Sequence, residues 1–270
     1  MDQALDQLQV TLALRGRPDE LRLEKSVQSQ QGRAAAHFIA PEVAWHARLM
    51  VLGWAVLIPI GVLWARFWKI APGQDFPHQL DDKRWWNAHR WLQIVAVVLS
   101  IVAVILVWKS GPLSESTQVH RYLGWSVFVA GLWQSVHAMA RGTKGGPTDT
   151  TMRGDHFDMT GKRLAFERIH KSLGWLALMV AVATVVTGLI ASDAPRWMFA
   201  GISAWWTLLV VAFIRWQRAG HAVDTYQTIW GIDDTLPGMK REPIGWGVRR
   251  YTESAMVVLD NNRHPRQGDD

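Results

Sequence analysis

The chain has 270 residues, of which 49% are hydrophobic and 19% charged, with a formal charge of +6. So small a share of charge excludes an ordinary soluble protein of this size. The absence of cysteine excludes disulfides, iron–sulfur clusters and thiolate ligation of a metal. The positive charge does not mark a nucleic-acid binder, because the excess basic residues lie in loops between apolar blocks.

Residues 1–40 are polar and mixed in charge. They are expected to form an extracytoplasmic N-terminal tail (1–41) without a signal peptide. Apolar spans follow at about 45–68, 91–108, 122–140, 172–192 and 197–215, each close to the ~20 residues that cross a bilayer as a helix. Backbone groups in lipid must be satisfied within their own segment, so helices are the expected form. The fold class is therefore an all-α integral membrane bundle of five transmembrane helices, spanning 42–217 and followed by a cytoplasmic tail, 218–270. Pro59 is expected to kink the first span. The third span is the weakest, because Gln134, Ser135 and His137 interrupt it. Many of the 17 Trp flank the apolar blocks, Trp45, Trp64, Trp68, Trp91, Trp108 and Trp197 among them, as an interfacial belt would. Most of the 29 basic residues fall on one side of a five-span topology: between spans one and two, between three and four, and after the fifth. The positive-inside rule places that side in the cytoplasm.

Four histidines, His46, His89, His120 and His170, each stand at the head of a different span. An ionisable group at membrane depth marks a functional site by default. Spans one and three run in one direction, two and four in the other. His46 and His120 therefore share one membrane face, and His89 and His170 the other. Two facing pairs of imidazoles between helices suit bis-histidine ligation of two haem b groups in a four-helix core. The stretches HRYLGW from His120 and HKSLGW from His170 repeat. Gly124 and Gly174 lie one turn beyond these histidines, where a missing side chain lets a macrocycle approach. Arg48, Arg90, Arg121 and Lys171 follow the histidines closely and could pair with haem propionates. Taken singly, each feature has a plainer reading: a satisfied polar group, a snorkelling cation, a packing glycine.

His137 lies at the level of the His89–His170 pair. It reads as a polar helix end, with a supporting, proton-transfer or substrate-contact role as the alternative. His37, His78, His156, His221 and His264 read as surface residues. The loop 141–163 has glycines and threonines but no Walker spacing. The aromatic and apolar residues after 218 point to docking on the bundle or on a partner rather than disorder.

The stretches WHARLMVLGWAVLIPIGVLWARF, WWNAHRWLQ, HRYLGW and RIHKSLGW with the later VTGL resemble the cytochrome b561 family, in particular bacterial modules that follow a DOMON domain. The resemblance covers roughly residues 42–217. It implies two b-type haems in a four-helix core, His46 paired with His120 and His89 with His170, and electron transfer across a membrane. Family donors include ascorbate, and acceptors include ferric chelates and monodehydroascorbate. The chain departs from the family in three ways. No DOMON domain is evident before the first span, the ascorbate signatures of plant and animal members are not evident, and five spans are visible instead of six. The resemblance therefore leaves donor and acceptor open.

The expected function is a di-haem cytochrome passing electrons between an extracytoplasmic and a cytoplasmic redox partner in a bacterial inner membrane. One alternative is a haem-bearing anchor subunit that links a periplasmic dehydrogenase to the quinone pool. Another is a haem-free helical transporter or scaffold. Homodimerisation or membership of a larger membrane complex is compatible with all three.

Overall fold

A computed structural model describes residues 39–108, 115–145 and 158–252. Among these, Trp45 onward belongs to one compact unit, and the few earlier residues open the first helix. Five long helices follow one another: α1 (Pro41–Phe67), α2 (Arg84–Val107), α3 (Glu115–Met139), α4 (Gly161–Ala191) and α5 (Arg196–Arg218). Four of them, α1, α2, α4 and α5, are long and apolar enough to cross a membrane. The third falls short in apolarity, as its interrupting polar residues suggest. It packs along α4, while α1 packs along α2 and α5 lies against α1 and α4. Large apolar side chains point outward, including Ile94, Val98, Ile101 and Ile105 on α2 and Leu208, Val210 and Ile214 on α5. A helical bundle with an apolar exterior is an integral membrane protein.

The first four helices begin a turn or more earlier than the apolar spans suggested, so each of the four histidines sits inside its helix rather than at its head. Apolarity marks the bilayer, not the helix. The first turns of α4 carry Arg163 and Glu167 as an i,i+4 pair at 3.4 Å, and Thr160 caps that helix through its hydroxyl, which accepts from Arg163 N–H at 3.3 Å. A charged turn that extends past the apolar layer remains helical when its charges pair along the helix.

Small residues set the spacing of the core. Ala96, Ser100 and Ala103 form one buried face of α2, and a Cβ on Gly53 of α1 would come within 3.3 Å of the Ala96 carbonyl. Close helix approach through small residues is how helices pack where lipid competes with every apolar side chain.

The irregularity expected at Pro59 takes the form of a π-helical stretch at Val51–Leu57, in which Ile58 N–H donates to the Gly53 carbonyl. Proline has no N–H to offer the carbonyl four residues back, which here is that of Ala55. The Trp205 indole of α5 donates to that carbonyl at 2.8 Å. Trp205→Phe removes this donor and keeps most of the ring. It is expected to lower stability by about 1–3 kcal/mol, as stranding a buried carbonyl does, read as a fall in the thermal unfolding midpoint in detergent.

Residues after α5 pack on the end of the bundle that carries His89 and His170. A single bridge joins Val223 to Arg249, and a short helix α6 (Thr225–Trp230) is capped by Asp224. Three cations from the bundle donate to backbone carbonyls of this segment: Arg66 to Trp246 at 2.6 Å, Lys69 to Val223 at 2.7 Å and Lys171 to Ile244 at 2.8 Å. Asp224 also pairs with Arg250 at 2.7 Å, and Asp158 with Arg241. The apolar and aromatic tail thus docks on the bundle as far as residue 252; the rest of it lies outside the described residues.

Lys69 is only 5% exposed. Burial pushes its ammonium down to about 7; Lys171 and Arg66 add to that, against Glu167 and Asp224. An unfolded lysine holds its proton to about 10.4, so the folded state binds fewer protons between these values. This group therefore makes the protein more stable as pH rises from about 7 to about 10. Lys69→Met is expected to flatten that part of the stability–pH curve, measured as unfolding midpoint against pH.

Candidate haem sites

The structure brings the four histidines together in two pairs. At one end His46 of α1 faces His120 of α3, with ring centroids 6.3 Å apart and planes at 85°. At the other end His89 of α2 faces His170 of α4, with centroids 6.2 Å apart and planes again at 85°. An imidazole nitrogen binds a first-row transition metal at about 2 Å, and its ring centre lies ~1 Å further back. Two imidazoles on opposite sides of one iron therefore place their centroids about 6 Å apart. Both pairs have that spacing.

Three of the four rings are oriented by a backbone carbonyl on a neighbouring helix. His46 Nδ1 lies 2.9 Å from the Ala103 carbonyl, His120 Nδ1 2.9 Å from that of Thr184, and His89 Nδ1 3.0 Å from that of Gly61. A carbonyl can only accept, so Nδ1 carries the proton and donates, which leaves the Nε2 lone pair for a metal. His170 differs: its Nδ1 is buried without a partner, and its ring stacks on Phe166 at 5.0 Å.

Among the described residues no group of three or more His, Cys, Asp or Glu could hold a metal ion. Two facing imidazoles at each end would suit a haem, whose macrocycle would supply the remaining donors to the iron.

The residues that make these contacts possible are small, and sequence reasoning assigned them no role. Gly188 lies against His120: a Cβ there would come within 2.8 Å of Cε1. Gly61 and Ala103 supply the carbonyls on which His89 and His46 are seated, and a Cβ on Gly61 would come within 2.5 Å of Gln93 Nε2. The only signal for them in the sequence is a small residue at the height of a facing histidine. Gly124 and Gly174, which the sequence did single out, have room. A Cβ would meet Thr184 Cγ2 at 3.8 Å and Gln134 Nε2 at 3.5 Å respectively, so protein packing does not require either glycine.

The neighbouring cations divide. Arg48 lies over the Trp45 ring at 5.1 Å and Arg90 over Trp91 at 5.4 Å. Both are exposed, as is Arg121. Lys171 donates to Glu167 at 2.9 Å as well as to the Ile244 carbonyl. His137 stacks on Trp133 at 5.8 Å and lies 5.0 Å from Phe166, which places it one aromatic ring from His170. His78 pairs with Asp75 at 3.4 Å on the surface, and His221 is exposed. His37, His156 and His264 lie outside the described residues.

A multi-pass helical bundle with a facing imidazole pair at each end defines a class, the transmembrane haem-binding electron-transfer proteins. Residues 45–195 match the family described as eukaryotic cytochrome b561, and the chain belongs to the cytochrome b561 family. It is 28% identical to human ferric-chelate reductase 1 over 183 residues, 66% of this chain and 27% of that protein. It is 27% identical to the bovine ferric-chelate reductase 1 over 174 residues, 64% of this chain and 26% of that one. It is also 28% identical over 153 residues to a cytochrome b561, DM13 and DOMON domain-containing protein of Arabidopsis thaliana, covering 56% of this chain and 15% of that protein. The chain thus spans about a quarter or less of the length of these relatives. No solved structure matches it.

Proposed function

We propose that the chain is a di-haem b-type cytochrome that carries electrons across the membrane between an extracytoplasmic and a cytoplasmic redox partner. The observation that carries this reading is the pair of imidazole couples, 6.3 Å and 6.2 Å between centroids, at opposite ends of the bundle. In it His46 and His120 hold one haem b, and His89 and His170 the other. Each haem supplies a reversible one-electron couple; the protein supplies ligands, orientation and a dry setting. The carbonyls of Ala103, Thr184 and Gly61 fix the tautomers and ring planes. Arg48 and Arg121 at one end and Arg90 at the other are free to meet propionates, whereas Lys171 braces α4 against Glu167 and the C-terminal segment. Gly124 and Gly174 keep the α3 and α4 faces open to the macrocycles.

The domain division that follows is a transmembrane domain at 42–217, an extracytoplasmic tail before it and a cytoplasmic tail after it. The distribution of basic residues supports this orientation, with His89 and His170 at the cytoplasmic face of a bacterial inner membrane. Held by two histidines each, the haems would suit electron transfer rather than binding of O₂. The relatives named ferric-chelate reductases make a ferric chelate the first acceptor to try. A reduced-minus-oxidised spectrum and a pyridine haemochrome count on the purified protein test the reading. Two b haems per chain are expected. One haem means that a histidine pair is misassigned, and none from a folded preparation removes the electron-transfer reading.

A further inference from the structure

The two histidine pairs lie far apart along the bundle. On α1, His46 and the Gly61 carbonyl that receives His89 are separated by about 20 Å of helix at ~1.5 Å per residue. What fills the middle is one buried cluster: Trp54, Ile58, Ala96, Val127, Ala177 and Ala181. On each of α1 to α4 one of its members falls near mid-height. Trp54 lies between His46 and Gly61, Ala96 between His89 and Ala103, Val127 between His120 and Gln134, and Ala177 between His170 and Thr184. Gln134 belongs to the His89–His170 end because its amide donates to the His170 carbonyl at 3.1 Å.

Trp54 is the one aromatic side chain in that cluster, counting its buried members and the partly buried residues packed on them. It is 7% exposed. Its indole N–H donates to Ser100 Oγ at 3.0 Å, and that hydroxyl is itself anchored on the Ala96 carbonyl at 2.8 Å. The far edge of the ring reaches α3, where a Cβ on Gly131 would approach it within 3.0 Å. Gly131 and the alanines of α2 and α4 make room for the indole, and a polar anchor fixes it. A filler side chain needs no such anchor, since Leu or Ile packs a core without any polar atom to satisfy.

We propose that Trp54 is the electronic bridge between the two haem sites. This rests on the di-haem reading above. One electron leaves one site and arrives at the other, and Trp54 is neither oxidised nor deprotonated. Its delocalised π orbitals carry the tunnelling amplitude across the mid-layer more effectively than packed alkyl groups do, and the Ser100 bond holds the ring in one orientation.

The test compares Trp54→Phe with Trp54→Met in the purified holoprotein. Phe keeps an aromatic ring, while Met fills a similar volume as an adaptable aliphatic chain. Haem count, optical spectrum and midpoint potentials are measured first, then the rate of electron exchange between the haems after rapid photoreduction of one. Trp54→Phe is expected to stay close to the wild-type rate and Trp54→Met to fall several-fold, with spectra and potentials unchanged in both. Ser100→Ala, a milder change that frees the indole N–H, is expected to slow exchange by less than Trp54→Met. Equal rates in Phe and Met variants, or no change in any of the three, overturn the bridge. A wild-type chain with fewer than two haems overturns the di-haem reading itself, so the two failures are distinguishable.

Discussion

A His89→Ala chain is expected to carry one haem instead of two. His89 faces His170 across 6.2 Å and takes its orientation from the Gly61 carbonyl. His170 has no such acceptor of its own, so the pair depends on His89 for its fixed geometry. Removing it leaves one imidazole, and a low-spin bis-histidine site cannot form. The other pair is about 20 Å away along the helices, with its own hydrogen bonds to Ala103 and Thr184, and changes at well-separated sites act independently. The pyridine haemochrome count should halve, and the reduced spectrum should keep the band of the His46–His120 site. An unchanged count would show that His89 is not a ligand. The converse variant, His46→Ala, should leave the complementary band.

Gly188→Ala is expected to damage the opposite site from outside the ligand set. The added Cβ would lie 2.8 Å from His120 Cε1 and 3.0 Å from Nδ1, closer than non-bonded carbon atoms approach. The ring must move, and moving it breaks the bond to the Thr184 carbonyl. Overpacking of this kind costs about 1–3 kcal/mol, and here it falls on a proposed ligand, so haem occupancy at the His46–His120 end should drop while the His89–His170 end stays loaded. Gly201→Ala on α5 is the control, because a Cβ there meets nothing within 4 Å and alanine favours the helix. Equal haem content and spectra for the two variants would contradict the packing account.

The four histidines and their two levels were legible because each of the first four apolar spans carries its own histidine near its head and the spans alternate in direction. That argument needs only the order of the spans. The carbonyls of Ala103, Thr184 and Gly61 were not legible, because they depend on how each helix is rotated. In a soluble helix, polar residues mark the outer face. Here the exterior is lipid-facing and as apolar as the core, with Ile94, Val98 and Ile105 outside and Ala96 and Ala103 inside, so periodicity loses its contrast. Residue size was the remaining signal, since the inner positions are Gly and Ala.

The ends of the helices were misjudged for a related reason. Arg84 and Gly161 begin helices whose first turns are polar, and hydropathy sees only the part of a helix inside the apolar layer. Lys171 illustrates the limit at the site itself. Its place beside His170 suggested a propionate partner; that Glu167, one turn back on the same face, and the C-terminal segment folded over both also hold it was not suggested. That docking joins residues far apart in sequence, and nothing local announces it. The distances of Trp205 from Ala55 and of Trp54 from Ser100 belong to the same class: long-range indole contacts that a count of tryptophans attributes to the membrane interface.

Transmembrane electron flow in sealed vesicles tests the central claim most directly. Holoprotein is reconstituted into liposomes loaded with ferricyanide, and a membrane-impermeant reductant is added outside. Trapped ferricyanide should be reduced at a rate that scales with holoprotein and is lost in His89→Ala. Haem reduction that stops at about half of the total while the trapped acceptor stays oxidised would contradict the account, because the two sites would then not be joined across the bilayer.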